Sequence, residues 1–184
     1  MGVSIDEHAR RLMTELDRET LLRADVSARA WSRLALGCEL SLPALLELLL
    51  AAKAHAVGDD FARGEGQGLR MWLTRYGMPM PVQRHLLDVD PAELVLDEVL
   101  ARLPSDPLQA RRLFWLVASL ASFEGLRAGP RARAERLGQH LGLPPPLVRV
   151  MVEEAQITVS AMLQGDDPLL RRLSALRSAI FALE

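Results

Sequence analysis

The chain has 184 residues, of which 49% are hydrophobic and 25% are charged, and its formal net charge is −2 at pH 7. These values predict a single globular domain over residues 1–184 and exclude long disorder. The near-balanced charge provides no long-range field for capturing nucleic acid, and one cysteine, Cys38, excludes an internal disulfide. The first residues are acidic rather than apolar, which argues against a secretory signal, and the longest apolar stretches, 40–52 and 113–123, fall short of the roughly 20 residues that a membrane helix needs. We therefore expect a soluble, cytoplasmic protein with no transmembrane segment.

The composition predicts an all-α fold. Ala, Leu, Arg and Glu dominate, and no segment alternates apolar and polar residues over six positions. Asp–Pro pairs at Asp90, Asp106 and Asp167 indicate helix starts, because the carboxylate accepts a backbone N–H and proline lacks the N–H that would be left unpaired. We predict a bundle of about 8–10 helices, with segments at about 4–22, 27–37, 42–57, 65–76, 80–87, 91–103, 107–122, 129–141, 145–163 and 168–183.

Two of these helices, 42–57 and 107–122, are apolar on a wide face, so we expect both to be deeply buried. The last helix carries a narrower apolar seam, which can dock on the body of the protein or form a homodimer with a second copy. Docking is the commoner arrangement. The residues of this seam, at alternating steps of four and three, are Leu169, Leu173, Leu176, Ile180 and Leu183.

An internal repeat appears when the chain is shifted by 65 residues, since Gly77–Pro81 then falls on Gly142–Pro146, and both read Gly-x-Pro-x-Pro. Each half reads as a buried helix, an acidic loop, a glycine, a helix, the Gly-x-Pro-x-Pro segment and a further helix. This pattern predicts a pseudo-two-fold repeat within one bundle. The alternative is that helix ends reuse Gly and Pro by chance.

The segment Leu116–Leu126, followed by Ala134–Pro144, resembles the TerB-like tellurite-resistance family. That family shows a small-residue helix, an Asp-Gly step, a spacer, an acid and a helix ending in Leu-Gly-Leu. Lys53–Phe61 is similar to the family's earlier copy of this loop, so the resemblance covers about residues 42–163, with N- and C-terminal helices flanking that core. It implies an all-helical, non-enzymatic module of stress or defence systems that binds a protein partner and holds divalent cations on acidic residues.

The acidic loops supply the candidate metal site. In the second loop Glu124 stands where the family has Asp, and Arg131 stands near the position of the later acid, where its charge would repel a metal. The oxygen ligands that Ca²⁺ or Mg²⁺ prefers are better preserved in the first loop. The alternative is that these acids are simply solvated. The candidate ligands are Asp59, Asp60, Glu65 and Glu124.

A soft apolar group surrounds the first Gly-x-Pro-x-Pro turn. Core packing is the ordinary role of such residues, and a partner-binding groove is the alternative, because methionine adapts to different shapes. Cys38 lies in an apolar context, which favours a structural thiol over a nucleophile. The candidate partner-binding residues are Met71, Trp72, Met78 and Met80.

Three functional hypotheses follow. The first is a non-enzymatic TerB-like module that binds a partner. The second is a metal-dependent enzyme that uses His55 with Asp59, Asp60 and Glu124, although the sequence offers no dedicated base. The third is a homo-oligomeric structural subunit paired through its last helix.

Overall fold

The structure, a computed structural model, describes residues 3–56, 64–90, 93–95, 106–123 and 128–183. This part of the chain is a bundle of nine helices with one two-residue parallel strand pair, β1 (Val3–Ser4) with β2 (Leu94–Val95). The all-α prediction is confirmed. The helices are α1 (Ile5–Glu15), α2 (Arg18–Leu36), α3 (Leu42–Ala56), α4 (Gly64–Arg75), α5 (Met80–Asp88), α6 (Pro107–Ser122), α7 (Ala128–His140), α8 (Pro145–Gln164) and α9 (Asp167–Phe181).

Two predicted helix boundaries near the N-terminus are wrong. Residues 23–26, where a break between two helices is predicted, are helical and lie in the middle of α2, and the helix boundary is instead at Asp17. The carboxylate of Asp17 accepts the backbone N–H of Thr20 at 2.8 Å and its hydroxyl at 2.7 Å, so one aspartate caps α2. No glycine or proline accompanies this break, which is why the sequence pattern did not reveal it.

The predicted helix 91–103 is also not seen where the structure describes it. The N–H of Glu93 donates to the carbonyl of Asp90 at 3.0 Å, and the next two residues, Leu94 and Val95, form β2. The other residues of this predicted helix lie outside the described part of the chain.

Helices α3 and α6 pack against each other at the centre of the bundle, as their apolar sequences predict. Nearly every residue of α6 from 110 to 122 is buried. Helices α1 and α2 cover α3, α7 and α8 cover α6, and α9 lies across α2 and α8. Most of the buried apolar residues form one contiguous core to which α1 through α9 contribute.

The last helix docks on the body through part of its predicted seam. Leu173 and Ile180 are buried, whereas Leu176 and Leu183 are 51% and 54% exposed. The helix begins one residue earlier than expected, because Asp166 rather than Asp167 is the N-cap residue. None of the described helices is long and apolar enough to cross a membrane.

The two Gly-x-Pro-x-Pro segments have the same backbone course. Gly77 and Gly142 both have φ +69°, the left-handed conformation that favours glycine at a helix end. In each turn the next residue, Met78 or Leu143, donates its N–H to the carbonyl five positions earlier at 2.9 Å. Helices α3, α4 and α5 begin 65, 64 and 65 residues before α6, α7 and α8.

Candidate functional site

A cavity of about 270 Å³ opens between α2, α4, α6, α8 and α9. All three tryptophans of the chain, Trp31, Trp72 and Trp115, line it together with the single tyrosine, Tyr76. Aromatic residues make up only 4% of the sequence, so their collection around one cavity distinguishes this part of the surface. We call this cavity the tryptophan pocket.

The aromatic wall of the pocket is continuous. The rings of Trp72 and Trp115 are nearly parallel, at 7°, with centroids 5.5 Å apart. Trp31 lies 5.5 Å from Trp72 at a tilt of 55°, and Tyr76 lies 6.2 Å from Trp31. The three indoles are almost fully buried in the helix packing, which fixes the position of their rings.

A buried ion pair lies behind this wall. The guanidinium of Arg177 lies 3.9 Å from the centre of the Trp115 ring, and its Nε donates to Glu154 Oε1 at 3.1 Å. It also donates to the carbonyl of Ala35 at 2.8 Å and to the hydroxyl of Thr158 at 3.2 Å. Glu154 in turn accepts the Trp115 indole N–H and the Thr158 hydroxyl. Arg177, Glu154, Trp115 and Thr158 are therefore each held by at least two other members of this network.

The environment of Arg177 affects its ionisation in two opposing ways. Burial lowers the pKa of Arg177 from its ordinary value, and the charge and hydrogen bonds of Glu154 raise it. An arginine remains protonated in proteins even so, and the carboxylate of Glu154 balances its charge. The network thus contributes shape and polarity to the pocket but no net charge.

The described residues at the rim of the pocket carry an excess of positive charge. Arg75 from α4 forms an ion pair with Asp167 at the start of α9, and both side chains are partly exposed. Arg171, one turn further along α9, is exposed at the rim and makes no ion pair within the described residues. Leu34 adds an apolar rim residue that is 46% exposed.

These residues suit binding better than catalysis. Among the described residues, those lining the pocket include no histidine or cysteine, and the polar groups are arginines, hydroxyls and Asp167. An aromatic wall can contact an apolar group, while arginines at the rim can pair with an anion. A concave apolar site with a few polar groups is the usual form of a ligand or partner pocket.

The predicted partner-binding residues do not form one surface. Trp72 and Met78 are buried at 3% exposure each, whereas Met71 and Met80 are 41% and 56% exposed. Of the four, Trp72 lines the tryptophan pocket. Met71 and Trp72 are adjacent on α4, and neighbouring residues on a helix point in different directions.

Most of the predicted metal site lies outside the described residues. Asp59, Asp60 and Glu124 lie outside the described residues, and Glu65 is described only as backbone in the first turn of α4. In the part of the chain that the structure describes, no three His, Cys, Asp or Glu residues are grouped in a way that could hold a metal ion.

The remaining candidates for chemistry are His55 and Cys38. Burial lowers the pKa of His55, and electrostatic repulsion from His140, Arg133 and Arg136 lowers it further. These positive neighbours work against a bound cation at His55. Burial raises the pKa of the Cys38 thiol, although Arg112 opposes the shift, and a raised pKa keeps the thiol protonated and unreactive.

Sequence reasoning missed most of the pocket. Trp31, Trp115, Glu154 and Arg177 were not singled out, and they come from four different helices. One signal was present. Arg177 interrupts an otherwise apolar helix face and Glu154 interrupts a mostly apolar one, and a charged residue at such a position is rarely buried unless it is paired.

Comparison of the chain with protein families, with curated proteins and with solved structures gave no match. The resemblance to the TerB-like family remains a prediction from the motifs.

Proposed function

We propose that the protein is a non-enzymatic, TerB-like helical module of a stress or defence response that binds a partner protein at the tryptophan pocket. The collection of Trp31, Trp72 and Trp115 around an open cavity carries this proposal. Trp, Tyr and Arg dominate the residues that supply binding energy at protein interfaces, and all three types line this cavity. The buried ion pair of Arg177 and Glu154 holds the aromatic wall in place, so little conformational entropy is lost when a partner binds.

The matching turns at Gly77 and Gly142 support a TerB-like core over about residues 42–163. The similar spacing of α3–α5 and α6–α8 supports a pseudo-two-fold repeat of three helices, with α3 and α6 as its central pair. Helices α2 and α9 lie outside that core, and both line the tryptophan pocket. In this proposal the flanking helices α2 and α9 complete a binding site on the surface of the TerB-like core.

A rim substitution tests the proposal. Leu34 and Leu22 are exposed leucines on α2, but Leu34 lines the pocket and Leu22 does not. Immobilised wild-type protein, Leu34→Arg and Leu22→Arg are each exposed to lysate from the native cells, after circular dichroism has shown that all three are folded. We expect a polypeptide that wild type and Leu22→Arg retain and that Leu34→Arg loses, because an arginine at the rim covers the aromatic wall. Equal retention by Leu34→Arg, or no retained polypeptide, would contradict the proposal.

A further inference from the structure

We propose that the tryptophan pocket receives the C-terminal residue of the partner polypeptide, with an apolar side chain against the indoles and the free carboxylate between Arg75 and Arg171. This inference rests on the proposed function and adds the chemistry of the segment that binds. It follows from the size of the pocket, the charge of its rim and the closeness of apolar and positive groups.

The volume of the pocket favours a single residue. At about 270 Å³ it lies just below the usual range of roughly 300–1,000 Å³ for pockets that hold drug-sized ligands. A large cofactor therefore has too little room, whereas one apolar side chain fits, and it meets the exposed edges of indoles that are otherwise buried, at 3% exposure or less.

The charge of the rim favours an anion. Inside the pocket the charge of Arg177 is already balanced by Glu154. At the rim, Arg75 and Arg171 face one carboxylate, Asp167, so among the described lining residues one positive charge has no counter-charge.

The ion pair at the rim can be exchanged. The side chains of Arg75 and Asp167 are 35% and 61% exposed, and ion pairs with such exposure stabilise a fold little. Asp167 can therefore release Arg75 to an incoming carboxylate at small cost. A guanidinium presents a planar pair of N–H donors that matches the two oxygens of a carboxylate.

A chain terminus offers both features at once. Its apolar side chain and its carboxylate are attached to the same Cα atom, so one residue can cover the indoles and reach the rim arginines together. An internal Asp or Glu would bring the carboxylate without an apolar group for the aromatic wall. Capture of C-terminal carboxylates is an established mode of peptide recognition.

Two peptides test the inference. A hexapeptide of Gly and Ser that ends in phenylalanine is prepared with a free carboxylate and with an amidated C-terminus, and binding is followed by tryptophan emission. Since all three tryptophans line the pocket, their emission reports on its occupancy. We expect the free acid to bind with millimolar or tighter affinity and the amide about tenfold more weakly, the effect of one charge-assisted hydrogen bond.

Arginine variants locate the carboxylate. Arg171→Gln should reduce the difference between acid and amide, because it removes one rim charge. Arg172→Gln is the matched control, since Arg172 is the next residue on α9, is exposed and does not line the pocket. It should leave the difference unchanged. An equal effect of both substitutions would overturn the assignment of the carboxylate to the rim.

The other outcomes are separable. Equal binding of acid and amide would overturn the carboxylate inference and leave the proposed function intact. Free 3-phenylpropionate binding as tightly as the acid peptide would overturn the polypeptide source. If neither peptide binds, but a partner is still captured and Leu34→Arg abolishes that capture, then the inference of a bound C-terminal residue is overturned and the proposed function stands. If both experiments are negative, both proposals fail.

Discussion

Replacing Arg177 by methionine should destabilise the fold more than replacing both members of its ion pair. The side chains of Arg177 and Glu154 are 4% and 3% exposed, so Arg177→Met leaves a buried carboxylate without a counter-charge. Breaking such a pair costs about 3–5 kcal/mol. In the double variant Arg177→Met, Glu154→Gln the buried charge is gone, and the amide oxygen can still accept the indole N–H of Trp115.

The double variant still loses the two hydrogen bonds that Arg177 donates to Ala35 and Thr158. At about 0.5–1.5 kcal/mol each, their loss amounts to about 1–3 kcal/mol. We therefore expect the second substitution to restore about 2 kcal/mol, which is close to a thirtyfold change in the unfolding equilibrium.

Urea denaturation at pH 7, followed by circular dichroism and by tryptophan emission, measures these differences. Arg11→Met is the control, because Arg11 forms an ion pair with Glu15 at 73% and 53% exposure, and its loss should change stability by less than about 1 kcal/mol. A double variant as unstable as Arg177→Met, or less stable, would refute the argument that an uncompensated charge dominates the cost.

Four further predictions concern other parts of the molecule. Burial lowers the pKa of Lys53, the single lysine, from 10.5 to about 8, so between these pH values the unfolded chain binds more protons than the folded one. The free energy of unfolding, measured in urea titrations, should therefore rise with pH by at most about 3 kcal/mol relative to that of Lys53→Met. A constant difference between the two proteins across this pH range would disprove this. Gly138→Ala should cost about 1–3 kcal/mol in thermal unfolding because its Cβ would lie 2.5 Å from a side-chain atom of α8. Gly129→Ala on the same helix would have no described atom within 4 Å of its Cβ and should not lose stability; equal melting temperatures of the two variants would refute this. If the acidic loops bind Ca²⁺ or Mg²⁺, calorimetry should record heat that Asp59→Asn abolishes, and the absence of heat with wild type would remove the metal site. If α9 forms a homodimer, light scattering should give a dimer mass that Leu176→Arg halves, and a monomeric wild type would exclude that pairing.

The sequence was sufficient for features that depend on neighbouring residues. Asp106 caps α6 as predicted, because its carboxylate accepts N–H groups only two and three residues away. The turns at Gly77 and Gly142 follow from glycine's tolerance of positive φ. The depth of α3 and α6 could be predicted because a helix that is apolar on most faces has to be surrounded.

Contacts between distant residues could not be predicted in the same way. The N–H of Leu42 at the start of α3 is capped by Asp25, which lies on α2, at 2.9 Å. The partner-binding group around Met78 divided between core and surface, because the packing of α4 and α5 decides which side of each helix is covered.

The sequence by itself determined a helical protein, its main turns and its central helices, because those properties depend on propensity, capping and apolar periodicity within a few residues. The tertiary structure alone decided that Trp31, Trp72 and Trp115 share one pocket and that Arg177 finds Glu154. These residues lie on five helices that are far apart in the chain. They meet because helices pack so as to bury apolar surface, and a buried charge is tolerated only where that packing also supplies its partner.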